Sequence, residues 1–139
     1  MKPFNQYFDH TLLKADATEV QIMKVLSEAA RYEFAAVCVN GGFVSAAAEY
    51  LQEVDVKVAT VVGFPLGAST SEAKAGEARI AIADGADEID MVINIGLLRA
   101  GKDKKVRTEI EAIKKACRGR ILKVIIETCL LTEDEKIRM

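Results

Sequence analysis

Short runs rich in β-branched residues alternate with amphipathic stretches along the whole chain, and this alternation narrows the possible folds more than any other feature. The first strand is expected at "QYFDHT". A helix over "TEVQIMKVLSEAARY" follows, capped by Thr18, with Val20, Met23, Leu26 or Ser27, and Ala30 as its apolar stripe. "FAAVCVN" reads as the second strand, "GGFVSAAAEYLQEV" as the second helix and "VKVATVVGF" as the third strand. The third helix, "STSEAKAGEARIAIADG", is expected to open on a capping box at Ser69 or Ser71 and to close at Gly85. "EIDMVINI" supplies the fourth strand, "KVRTEIEAIKKAC" a longer helix and "RILKVIIET" the fifth strand, and "TEDEKIRM" starts a last helix at Thr132. Strands two to five begin near residues 34, 56, 88 and 120, about 22, 32 and 32 residues apart, which leaves room for helical crossovers and is too long for hairpins. The expected sheet is therefore parallel, with strands apolar on both faces.

No spacer or low-complexity tract interrupts the pattern, so residues 1–139 read as a single domain. Its last helical stretch has neither a C-cap glycine nor a strand to cross to, so the chain reads as truncated at its C-terminal end. With 19 basic against 21 acidic side chains, it carries no basic excess of the kind that binds nucleic acid. Apolar runs stay shorter than the ~20 residues of a membrane helix, and the N-terminus has no signal-peptide core. Cys38, Cys117 and Cys129 are far apart, with only His10 as a possible companion, so a zinc site is not expected; no cofactor is expected either. An odd cysteine count without a secretory signal suggests reduced thiols in a cytoplasmic protein.

Charge within a strand buried on both faces needs a cause, because an unpaired ion there is costly. Alternation puts Asp90, Val92 and Asn94 on one face of the fourth strand, and Lys123, Ile125 and Glu127 on one face of the fifth. The second strand offers Cys38 with Asn40, the third Thr60 with Val62, and the first Asp9 with Thr11. If these faces coincide, the sheet has a polar interior toward its C-terminal strand ends, which is the catalytic face of a βα barrel. Asp90 and Lys123 read either as a structural ion pair or as a proton-transfer pair with perturbed pKa values, and Asn94 and Glu127 stacked above them favour the second. Gly63 and Gly67 bracket a tight turn without the spacing of a phosphate loop. His10 weighs toward a structural role, and Cys38, with no histidine partner to activate it, toward the core.

The segments "DHTLLK", "FAAVCVN", "KVATVVGFPLG", "GADEIDMVIN" and "LKVIIETCLLT" together resemble the deoxyribose-phosphate aldolase family, in that family's order and spacing. The resemblance implies a TIM (β/α)8 barrel of which this chain supplies about five of eight strands. It also implies a metal-independent class I aldolase that interconverts 2-deoxyribose 5-phosphate with glyceraldehyde 3-phosphate and acetaldehyde in deoxyribonucleoside catabolism. It carries catalytic roles onto Asp90 and Lys123 and pocket positions onto Asp9 and Cys38. The Schiff-base lysine of the family lies on strand six in a "KTSTG" context that these 139 residues do not contain, and the phosphate loops after strands seven and eight lie further on. Lys123 is a poor substitute nucleophile, because a facing carboxylate keeps an amine protonated. A smaller departure is "CVNGG", where the family has Pro after Asn. The isolated chain is thus expected to be inactive. The competing reading is a noncatalytic half-barrel that self-associates through open strand edges.

Overall fold

Each of the five strands is short, β1 (Asp9–Leu12), β2 (Ala36–Val39), β3 (Lys57–Val62), β4 (Glu88–Val92) and β5 (Ile121–Ile125), and they lie side by side in chain order, all parallel. This is the arrangement in the computed structural model, which describes residues 2–139. The connections carry α1 (Glu19–Arg31), α2 (Val44–Tyr50), α3 (Ser71–Ala83), α4 (Ile95–Arg99) and α5 (Asp103–Ala116), and α6 (Glu133–Arg138) follows β5.

The two faces of the sheet differ in side-chain size. Val37, Val39, Val58, Val62, Ile89 and Met91 point outward and pack against Ile22, Leu26, Ala47, Ala78 and Ile113 of the helices, forming the main core. The inner face carries small buried side chains, Ala36, Cys38, Ala59 and Val61, edged by Leu13 and Ile125. The sheet curls around that inner face. β1 and β5 are its two edges, yet Lys123 on β5 reaches Asp9 on β1 at 2.6 Å. These are five consecutive units of a TIM barrel.

Local signals fixed several helix ends. Thr18 makes a full capping box with Gln21, and Thr132 makes another with Glu135. The third helix begins one residue away from either expected cap, because Thr70 accepts the Ala73 N–H, while Gly85 closes it with φ +107. The stripe of α1 also differs from expectation. Ile22, Leu26 and Ala29 are buried, whereas Val20 is 80% exposed, since the face that meets the sheet is set by the crossover's direction and not by hydropathy alone.

The expected first strand begins too early, as Phe4–Tyr7 form a 3-10 turn and pairing starts at Asp9. The expected fourth strand runs too far, because it ends at Val92 and Asn94 caps α4, a helix hidden inside the apolar run "INIGLL". Among the described residues no helix is long and apolar enough to cross a membrane.

Candidate active site

Strand register brings the site together. Asp90 lies opposite Lys123 on β5 and opposite Val61 on β3, so both ionisable side chains share the inner face with Cys38 and Ala59. The Lys123 ammonium lies 2.6 Å from Asp9 Oδ2, 3.0 Å from Glu88 Oε2 and 3.2 Å from Asp90 Oδ1. One cation on β5 is thus held among three carboxylates, one from β1 and two from β4. The Asp9 contact is a well-formed hydrogen bond, whereas Asp90 Oδ1 is close to the ammonium but off its hydrogen-bonding direction, and is buried without a hydrogen-bond partner.

Burial raises the Asp90 pKa above the ordinary carboxylate value. Lys123 opposes that rise, and the neighbouring Asp9 and Glu88 charges reinforce it. At Lys123, burial pulls the ammonium pKa down, but hydrogen bonds to Asp9 and Glu88 and the attraction of Asp90 outweigh it, leaving the pKa well above its usual value. The Cys38 thiol is pushed up to about 12, mainly by burial and then by the Asp90 charge, so it stays protonated at neutral pH and is not activated as a nucleophile. The arrangement therefore offers a carboxyl that binds a proton more readily than a free aspartate, beside a cation that stays charged.

Both shifts have measurable consequences. Because the folded pKa of Lys123 exceeds the unfolded one, its contribution to stability is complete below the unfolded value of about 10.4 and is lost as pH rises through the folded value. The gap in unfolding free energy between the parent chain and Lys123→Met should therefore narrow from pH 9 to pH 11.5; a constant gap would show that the carboxylates do not hold the ammonium. Cys38 should resist iodoacetamide at pH 8 in the folded chain while exposed Cys129 is alkylated, with peptide mass mapping as the readout. Equal labelling of the two would contradict the burial of Cys38.

The sequence-derived residues are distributed unevenly. Asp9, Cys38, Asp90 and Lys123 share the inner face. Asn94 does not stack above the pair: alternation stops where β4 ends at Val92, and the Asn94 side chain accepts the Leu97 N–H as the cap of α4. Glu127 likewise lies beyond β5, in a left-handed conformation (φ +53), and accepts a hydrogen bond from the Cys129 thiol. Thr60 is on the outer face, its hydroxyl donating to the Val39 carbonyl at 2.7 Å, so the parity assigned to β3 was off by one residue. His10 also faces outward, bonded to Glu28 at 2.8 Å and stacked on Phe34. Glu88 was missed, although it stands two residues before Asp90 and the same alternation would have found it. Among the described residues no group of His, Cys, Asp or Glu is arranged to hold a metal ion.

A curled parallel βα sheet with its titratable groups on the inner face places this chain among the TIM-barrel proteins. The sequence profile of the DeoC/LacD family aldolases matches residues 4–138, and the chain belongs to that family, whose aldolases are lyases. It is 56% identical to the deoxyribose-phosphate aldolase of Clostridium botulinum (strain Okra / Type B1) over 134 residues, covering 96% of this chain and 63% of the relative. It also superposes on a crystal structure described as that of a candidate deoxyribose-phosphate aldolase from Coccidioides immitis, with a TM-score of 0.94 and 43% identity, covering 96% of this chain and 53% of the other. The tetrameric deoxyribose phosphate aldolase of Aeropyrum pernix gives a TM-score of 0.82 at 31% identity, covering 91% and 53%. The chain thus spans less than two thirds of the Clostridium relative and about half of the two solved chains.

Proposed function

We propose that residues 1–139 form one domain-forming portion of a deoxyribose-phosphate aldolase, acting in the cytoplasm on 2-deoxyribose 5-phosphate and releasing glyceraldehyde 3-phosphate and acetaldehyde. The observation that carries this reading is the placement of Asp90 against Lys123 on adjacent strands of the inner face, in a chain 56% identical to a protein of that name.

In this reading Asp90 moves the proton at the reacting carbon, its affinity for that proton raised by burial, while Lys123 and the carboxylates around it fix its orientation. Asp9 anchors Lys123 from β1, and Cys38 fills the wall behind it. The covalent nucleophile is assigned to a lysine of a sixth strand, outside these residues, because Lys123 is held as a cation and a Schiff base needs a neutral amine. The phosphate of the substrate is assigned to loops beyond residue 139.

The test is retro-aldol cleavage of 2-deoxyribose 5-phosphate, with borohydride trapping in the presence of acetaldehyde. The purified 139-residue chain should give neither turnover nor an adduct, and mixing it with a separately expressed polypeptide carrying the remaining three strands should yield both, with the adduct on that second polypeptide. Robust cleavage by the 139-residue chain alone, with an adduct on Lys123 or another of its own lysines, would overturn the assignment.

A second reading, a noncatalytic half-barrel that pairs with another copy, is favoured by the unpaired backbone edges of β1 and β5. Sedimentation decides between association at micromolar concentration and a stable monomer.

A further inference from the structure

Away from the inner-face cluster, the side chains of Lys74 and Glu109 are 0% and 2% exposed and lie 2.9 Å apart, Nζ to Oε1. Lys74 on α3 also donates to the carbonyl of Val92 at 2.8 Å. Glu109 on α5 accepts the backbone N–H of Asn94 at 2.9 Å through Oε2, and the Ser71 hydroxyl donates to its Oε1 at 3.3 Å. One ammonium and one carboxylate thus satisfy a carbonyl and an amide of the short run that leaves β4, starting two residues after Asp90.

The loop Gly63–Gly67 presses on the same network. A Cβ on Gly63 would stand 2.7 Å from Lys74 Cε, and one on Gly67 would stand 1.9 Å from the Ile93 carbonyl oxygen. Both glycines have positive φ, and the Gly63 N–H donates at 2.7 Å to Glu77, three residues after Lys74 on α3. The glycines of "GFPLG" are therefore accounted for by close approach to the Lys74 stem and to the exit of β4, without a ligand.

A buried ion pair is a poor way to gain stability, since an apolar pair of similar volume is often as good or better. An apolar pair, however, offers no donor to Val92 and no acceptor to Asn94. We infer that Lys74 and Glu109 are positioning residues, fixing the exit of β4 and through it the place of Asp90 against Lys123. The inference rests on the reading of Asp90 as the proton carrier, but its test does not depend on turnover.

The test compares the parent 139-residue chain with Lys74→Met/Glu109→Leu, and with Lys74→Met/Glu109→Gln as the second variant. Neither variant leaves a buried ion unpaired. Thermal unfolding, amide hydrogen exchange at Asn94 and the carboxyl carbon titration of Asp90 by NMR are the readouts. The expected result is a folded Met/Leu variant in which the Asn94 amide exchanges at least tenfold faster and the Asp90 midpoint moves from its parent value. In the Met/Gln variant the Gln carbonyl can still accept from Asn94, so protection there should largely return while the Asp90 midpoint stays displaced. An Asp90 titration unchanged in a folded variant would overturn the inference whatever Asp90 does in the reaction. Failure of both variants to fold would overturn it too, by showing that the pair serves the fold itself. If Asp90 proves dispensable for turnover while its titration moves as stated, the functional reading fails and the positioning inference stands.

Discussion

Lys74→Met alone should lower the unfolding free energy by about 3–5 kcal/mol, the usual cost of leaving one member of a buried ion pair without its partner. The methionine fills most of the lysine's volume, so the loss is chiefly electrostatic. Glu109 keeps the Asn94 N–H and the Ser71 hydroxyl but loses the counter-ion of its 2%-exposed side chain. Against a total stability of about 5–15 kcal/mol for a domain, such a loss should be plain in urea denaturation. Removing the carboxylate as well should recover much of it, because the second substitution takes away the stranded charge. A single-variant loss under about 1 kcal/mol would mean that Glu109 takes up a proton or reaches solvent at little cost.

In a reassembled barrel, Asp90→Asn should reduce kcat by roughly 10²–10⁴-fold, the range expected when a positioned acid or base is removed. KM should change much less, since the amide keeps the shape of the carboxyl and the phosphate anchor is assigned elsewhere. The raised Asp90 pKa adds a pH signature: the acidic limb of the kcat profile should lie above the midpoint of an ordinary aspartate and should disappear in the variant. Full turnover by Asp90→Asn would reduce the inner-face cluster to a structural ion network.

The class of fold was legible because its determinants are local. Crossover-length intervals between β-branched runs exclude hairpins and fit parallel pairing, and Thr18, Gly85 and Thr132 mark helix ends through bonds to residues a few positions away. The pairing of Asp90 with Lys123 was also legible, since alternation within two neighbouring strands fixes which side chains face each other. Alternation fails where a strand stops. Asn94 and Glu127 fall on the same face as the pair only if β4 and β5 run past Val92 and Ile125, where they in fact end, and Thr60 lies on the opposite face because a single residue of parity reverses a side chain.

The parallel βα order, the family and the inward direction of Asp9, Cys38, Asp90 and Lys123 all follow from spacing, strand period or segment identity. That Lys123 bridges the two edge strands through Asp9, and that Lys74 and Glu109, 35 residues apart, meet behind β4, depends instead on packing across the whole domain. The reason is geometric. Sheet curl and helix-to-helix contact depend on how every outer-face side chain packs, and a charge on one helix carries no local mark of which residue on another helix will neutralise it.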